Sequence, residues 1–311
     1  MKFLFLMDPL ETIKMEKDTT FIFMLESHRR GHDVYYLPKD GISLIEGKLF
    51  FNVVKVKPQS VLHEPFIIEE TDTLSYKDIH AVFIRPDPPF DGQYLMNTWL
   101  LDHLPKNVAV INSAAGIRTV NEKVWAAQFT DLTPPTIVSS NQGDLTDFIA
   151  KHKNVIAKPS NGYGGKSVFH IDSKHTNTNV ILETLSHTYS EAIILQKYIP
   201  EAKNGDKRIL LLNGEFLGAV LRVHGEGEHR NNFYAGGKAK PTIVTKRDQQ
   251  IVNALKPHLK QLGLYFVGID ILGDYLIEVN VTSPTCLQEM NALYKKNLEE
   301  KVIDFVEKLI K

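Results

Sequence analysis

The stretch Phe266–Cys286, FVGIDILGDYLIEVNVTSPTC, constrains the chain more than any other. VGIDIL and YLIEVNV are short β-like runs, and Gly273-Asp274 between them is a hairpin turn signal. Glu278 and Asn280 are two apart, so on a strand they share a face, and the hairpin can bring Asp270 opposite them. Two carboxylates and an amide oxygen on one face suit a hard divalent cation such as Mg²⁺, which keeps several waters and shares phosphate ligands. A hairpin with a few solvent-facing polar residues satisfies the same pattern.

A chain of 311 residues is long enough for two or three units. With 43% hydrophobic and 23% charged residues it reads as an ordinary globular enzyme, and a net charge of -1 argues against broad adhesion to nucleic acid or acidic membranes. Cys286 stands alone, which excludes a disulfide framework and a thiolate zinc cluster. The apolar start MKFLFLM is shorter than a secretory h-region, and no run approaches a membrane span. The expectation is a soluble cytoplasmic protein.

From the start, strand 2–7, helix 19–30 stopped by Gly31 and strand 34–37 form a βαβ unit with a largely parallel sheet. Residues 40–75 read as a hairpin insertion, and strands follow at 81–85 and 108–112. Ligands of open α/β sheets sit beyond the carboxyl ends of strands, which makes Arg85 and Asp91 binding candidates; a rigid loop on a charged surface is the alternative. The segment 121–138 reads as a helix with Asn121 as N-cap and Lys123 in its first turn, then a Pro-Pro break, then a strand. A helical patch at Asp144–Lys151 precedes strand 155–159, where Lys158 interrupts an apolar run just before the turn PSNGYGGKSV. Gly162, Gly164 and Gly165 there let main-chain N–H groups approach an anion, although the spacing is not that of a P-loop. A ligand-free glycine hairpin is the competing reading.

Strand and linker 192–200 (AIILQKYIP) can offer backbone groups to an adenine edge. Residues 205–223 give two strands joined by Asn213-Gly214, with a register that pairs Leu212 with Glu215 and Arg208 with Ala219 and leaves Arg222 near the same end. Two guanidiniums at one end of a hairpin suit carboxylate or phosphoryl oxygens; surface solubility is the alternative. The polar, glycine-rich 224–238 suggests a loop closing over substrate, with Arg230 and Lys238 as its contacts. Asp248–Leu262 is an amphipathic helix in which Pro257 predicts a kink or break, and a terminal helix runs from Asn297 to Ile310.

The order of these signals resembles the ATP-grasp superfamily, in which ATP lies between two α+β units. MDP at 7–9, RPDPPFD at 85–91, NEK at 121–123, TDLTP at 130–134, KPSNGYGG at 158–165, GDKR at 205–208, AGG at 235–237 and the opening stretch narrow the resemblance to bacterial-type glutathione synthetase. It runs over essentially the whole chain. The resemblance implies an α/β and α+β architecture: an ATP-grasp fold with an N-terminal Rossmann-like domain. Its units would be a substrate domain at 1–120, a central lid at 121–203 and a catalytic domain at 204–311.

The implied reaction joins γ-glutamylcysteine to glycine through an acyl phosphate, with ATP becoming ADP and phosphate. By the same resemblance Lys123 and Lys158 meet the ATP phosphates, and Gly162, Gly164 and Gly165 cover them. Gln196, Tyr198 and Ile199 hold adenine, and Asp206 meets the ribose side. Asp270, Glu278 and Asn280 bind Mg²⁺ (or Mn²⁺). Arg208, Arg222 and Arg230 neutralise reacting charge, while Arg85, Ser283, Pro284 and Thr285 hold substrate carboxylates. Cys286 packs beside the site, and a cytoplasmic homotetramer is implied.

Pro86 replaces an expected basic residue, Asn231 stands for Gly in the loop, and Lys238 for Arg removes a bidentate fork. Two rival functions share the motifs: another ATP-grasp carboxylate–amine ligase with a different acceptor, and a non-catalytic ATP-binding regulator.

Overall fold

Apolar runs too short for helices but fully buried form the centre of the first sheet. In the computed structural model, which describes residues 1–162, 164–172, 176–224 and 237–310, the chain opens with β1 (Lys2–Leu6), α1 (Thr19–Arg29) and β2 (Asp33–Leu37). The Asp18 carboxylate caps α1 by accepting the Phe21 N–H. Next come β3 (Ile42–Ile45), β4 (Lys48–Pro58) and β5 (Phe66–Ser75), then β6 (Ala81–Ile84), α2 (Gly92–Leu101), β7 (Ala109–Ile111) and α3 (Ala114–Thr119). Strands β2, β1, β6 and β7 lie side by side in parallel. The 40–75 insertion is antiparallel, as expected: β4 pairs with β2, β3 and β5.

The middle of the chain gives β8 (Thr136–Ser139), α4 (Gln142–His152), β9 (Val155–Pro159), β10 (Phe169–Ile171), α5 (Thr178–Leu185) and β11 (Ile193–Lys197). Its four strands form an antiparallel sheet in the order β10-β9-β11-β8. The expected helix after Asn121 is only a single 3-10 turn, Trp125–Gln128. Tertiary pairing competes for that backbone. The Glu122 carbonyl accepts the Val279 N–H at 2.8 Å and the Leu132 carbonyl accepts the Leu276 N–H at 2.8 Å.

The remaining elements are β12 (Asp206–Leu212), β13 (Glu215–Val223), β14 (Lys238–Lys240), α6 (Lys246–Gln261), β15 (Phe266–Leu272), β16 (Tyr275–Asn280), α7 (Leu287–Tyr294) and α8 (Leu298–Ile310). The strands pair antiparallel in the order β14-β13-β12-β15-β16. A bulge between Leu210 and Leu211 overturns the expected Arg208–Ala219 pairing, because one extra residue on β13 moves Arg208 opposite Val220. The same shift places Arg222 opposite Asp206. Helix α6 runs unbroken through Pro257, anchored by its buried face (Ile251, Leu255, Leu259) and a Thr245–Asp248 capping box. No described helix is long and apolar enough to cross a membrane.

Side chains alternate across β12: Ile209 and Leu211 pack toward α6, and Leu210 packs toward α7 and α8. Both of these clusters continue into the first sheet, through Leu4 and Leu6 on one face and Phe3, Phe5 and Phe83 on the other. The middle sheet has a separate core built from Leu145, Val155, Ala157, Leu182 and Leu195. First and last units therefore share apolar packing, while the middle unit stands on its own.

Asn112, just past β7, ties the first unit to the third. Its Nδ2 donates to the Phe266 and Val281 carbonyls, both at 2.8 Å, and its Oδ1 accepts the Phe266 N–H at 2.7 Å. Removing it strands three buried backbone groups. Asn112→Ala is expected to cost about 3 kcal/mol of stability, read as a lower urea midpoint; an unchanged midpoint would contradict the tie.

Candidate active site

A cleft of ≈ 660 Å³ lies between the middle sheet and the β12–β16 sheet. Its walls carry Lys123, Lys158, Gly162, Gly164, Gly165, Gln196, Tyr198, Ile199, Asp206, Arg208, Arg222, Asp270, Glu278, Asn280, Ser283, Pro284 and Thr285. The site residues expected from sequence are thus brought to one place, apart from four. Asp91 instead caps α2 by accepting the Tyr94 N–H, and Lys238 is exposed at the start of β14. Arg230 lies outside the described residues. Arg85 sits behind the cleft wall.

The deepest charges form a closed set. Antiparallel register sets Arg208 opposite Asp270, Asp206 opposite Arg222 and Asp270 opposite Glu278. Arg208 grips Asp270 with two nitrogens, Nη2 donating to Oδ2 at 2.8 Å and Nε to Oδ1. Arg222 approaches the same Oδ2 at 2.9 Å and holds both oxygens of Asp206. Burial alone would raise the Asp270 pKa, but the charges and hydrogen bonds of Arg208 and Arg222 hold its carboxyl well below the usual range. Burial pushes Asp206 upward against the pull of Arg222. Asp206, expected at the ribose side, lines the cleft and is engaged there by Arg222.

At the rim, Lys123 Nζ donates to the Gly162 carbonyl at 2.5 Å and stands 3.5 Å from Glu278 Oε1. One lysine thereby spans from the glycine turn to β16. Asn280 Nδ2 donates to the Gly268 carbonyl at 3.3 Å and lies 3.5 Å from Asp270 Oδ2. Among the described residues no group of three or more His, Cys, Asp and Glu side chains is arranged to hold a metal. The oxygen-bearing side chains that the hairpin itself brings together are Asp270, Glu278 and Asn280.

Lys158, on β9, is 5% exposed. Burial lowers its pKa from 10.5, and its Nζ donates to Gln196 Oε1 at 3.4 Å. The following turn reaches over the cleft through Gly164 and Gly165, at φ 63 and 73, where a side chain would be strained. The His170 and Tyr198 rings also line the cleft, with centroids 4.4 Å apart and planes tilted by 32°. His170 was not anticipated; a histidine in a three-residue strand gives no pattern to read.

Arg85 is buried, with Nε donating to Thr20 Oγ1 at 3.1 Å and Nη2 to the Pro284 carbonyl at 3.0 Å. Ser283 Oγ donates to the Arg85 carbonyl at 3.2 Å, so the two segments brace each other. Its position supports the Ser283–Thr285 turn from behind. Glu122 was also missed, since an acid in a presumed first helical turn looks like an ordinary charge at a helix start. It lines the cleft, and its Oε1 accepts from Val281 N, Thr282 N and Thr282 Oγ1. Cys286 is 1% exposed and burial pushes its thiol pKa up, which fits a packing role.

The fold and this cleft define the chain as an ATP-grasp ligase. Solved structures with this architecture include the D-cycloserine synthetase DcsG (TM-score 0.69, 14% identity, 99% of each chain). Another is the ATP-grasp ligase PsnB with its minimal precursor (TM-score 0.65, 14% identity, 99% of this chain and 98% of that one). At that identity the likeness concerns fold alone. Within the class, the profile of the prokaryotic glutathione synthetase N-terminal domain matches residues 1–118, and that of its ATP-grasp domain matches 122–295. Glutathione synthetase of Vibrio cholerae is 38% identical over 98% of this chain and 96% of its own length. The Synechocystis enzyme is 38% identical over 99% of both, and that of Escherichia coli K12 is 36% identical over 97% and 96%. The chain belongs to the prokaryotic glutathione synthetase family, whose members are ATP-dependent ligases.

The charge cluster predicts a pH-dependent stability. Asp270→Asn leaves two buried guanidiniums short of a counter-charge and is expected to cost about 3–5 kcal/mol near neutrality. A carboxyl with a depressed folded pKa stabilises above its unfolded value of 3.8 and loses that contribution as pH falls further. Urea titrations of both proteins should therefore converge only below pH 3.8; equal stability at neutral pH would refute the assignment.

Proposed function

We propose that this chain joins γ-glutamylcysteine to glycine within the cleft, with ATP becoming ADP and phosphate. The observation that carries the reading is the cleft itself. Two lysines and a glycine turn face a paired arginine–aspartate cluster across it, in a chain 36–38% identical to named glutathione synthetases over nearly its full length. That identity favours this acceptor pair over another carboxylate–amine ligation, and the intact lysines and arginines disfavour a non-catalytic regulator.

A carboxylate is a poor electrophile, so the cysteinyl carboxylate first attacks the γ-phosphorus. ADP leaves and an acyl phosphate forms. Glycine's neutral amine then attacks the acyl carbon, and the tetrahedral adduct expels phosphate. Such chemistry asks mainly for positioning and charge neutralisation. Lys123 and Lys158 hold the phosphates, with the N–H groups of Gly162, Gly164 and Gly165. Gln196, Tyr198 and Ile199 receive adenine, with the His170–Tyr198 ring pair beside it. Arg208 and Arg222, kept in place by Asp270 and Asp206, counter the charge that builds on the transferring phosphoryl and the adduct; Arg230 would join them from the loop.

The Ser283–Thr285 turn, backed by Arg85, holds the carboxylate substrate. Asp270, Glu278 and Asn280 would hold Mg²⁺ or Mn²⁺; their all-oxygen donor set on adjacent strands fits such a hard ion. When bound, the ion supplies further neutralisation of phosphate charge. Residues 1–120 act as substrate domain, 121–203 as lid and 204–311 as catalytic domain, in a cytoplasmic homotetramer.

ADP release with γ-glutamylcysteine plus glycine, compared with other acid–amine pairs, tests the assignment; absence of turnover with this pair would overturn it. Lys158→Ala is expected to lower kcat/KM by about 10²–10³-fold. Because burial lowers the Lys158 pKa below 10.5, its charge is lost earlier than an exposed lysine's as pH rises. Nucleotide affinity should fall correspondingly early on the alkaline side, and Lys158→Arg should remove that limb from a binding titration.

A further inference from the structure

The edge of β16 is covered by the chain that leads from the first unit into the middle one, and Glu122 is the point where the two are locked. Its carbonyl holds the Val279 N–H at 2.8 Å. Its side-chain Oε1 takes three donors: Val281 N at 3.1 Å, Thr282 N at 3.2 Å and Thr282 Oγ1 at 2.8 Å. The next residue is Lys123, which reaches the glycine turn and Glu278. The residue after Thr282 is Ser283, which opens the turn that lines the cleft beyond β16. One carboxylate oxygen therefore ties the position of Lys123 to that of this turn.

We propose that Glu122 is a positioning residue that sets the register between the nucleotide's γ-phosphate and the carboxylate substrate, which protects the acyl phosphate until the amine attacks. The inference rests on the ligase reading above. Reaction within a near-attack geometry is steeply sensitive to sub-ångström placement. If the turn slips relative to Lys123, the acyl phosphate outlives its alignment with the amine. Water then attacks the acyl carbon, the C–O bond to phosphate breaks, and the free carboxylate, hydrogen phosphate and one proton are released. No new peptide bond forms, so ATP is spent as plain hydrolysis.

The role is one of hydrogen-bond acceptance, and Gln supplies an acceptor oxygen in the same place. Wild type is first assayed for ADP and for peptide product with γ-glutamylcysteine and glycine; failure to form product would sink the ligase reading itself. Given wild-type turnover at one ADP per peptide, Glu122→Ala is expected to lower kcat/KM for the dipeptide about tenfold or more. It should also raise the ADP-to-peptide ratio clearly above one. Glu122→Gln should keep the ratio near one. Thr282→Val, which deletes one of the three donors and keeps the shape, should raise the ratio less than Ala does. This variant also keeps the test open if Glu122→Ala fails to fold. Mere loss of folded protein would lower both products together and leave their ratio unchanged. A ratio of one in both Glu122→Ala and Thr282→Val, or in Thr282→Val alone should Ala not fold, overturns the proposal. So does a Gln variant as uncoupled as Ala.

Discussion

Four buried charges in a row, Asp206, Arg222, Asp270 and Arg208, are the constraint on which the cleft depends. An isolated guanidinium in that position would be expensive, and each is tolerated because an antiparallel partner supplies its counter-charge. Register is thus an electrostatic matter here. The bulge at Leu210/Leu211 shifts β13 by one residue and turns a nearby arginine into a paired one. With the set internally neutral, the two guanidiniums are held at the cleft without relying on bulk water to stabilise them.

The second constraint is mechanical. Lys158 and the glycine turn come from the middle unit, and Asp270 and Glu278 come from the last sheet. The middle sheet has its own core, while the first and last sheets share theirs. Opening the cleft therefore need not disturb the packing that holds the arginine–aspartate row. Continuity is kept by short backbone links at Glu122 and Leu132, which hold the crossover against β16. They also cover what would otherwise be an exposed sheet edge.

Much of this was legible in the chain. Alternation plus Gly273-Asp274 and Asn213-Gly214 located both hairpins of the last sheet, but the pairing of Asp270 with Glu278 depends on an extra residue on β16, since a regular register would set Asp270 opposite Ile277. Lys158 stood out because a charge in an apolar strand needs a reason. Less legible was whatever depends on contacts distant in sequence. Nothing local marks the extra residue on β13, the capture of residues 122–132 by β16, or the burial of Arg85 against Pro284. The break allowed for at Pro257 did not occur for the same reason: local propensity disfavours an interior proline, and the buried stripe of α6 keeps the helix continuous.

The shared core has a consequence for biosynthesis. Helix α8 packs on α1, where Arg30 hydrogen-bonds the Glu300 carbonyl and pairs with Asp304 and Glu307. Phe3, Phe5 and Phe83 of the first sheet join the cluster that holds Leu298, Val302 and Val306. The first sheet emerges from the ribosome long before those partners do. At about 5–20 residues per second, its apolar face waits tens of seconds for the helix that covers it. The middle unit, with its local core, can settle meanwhile. This enzyme should lean on holdase chaperones at its amino-terminal third, and its nascent chain should become protease-resistant from the middle outward.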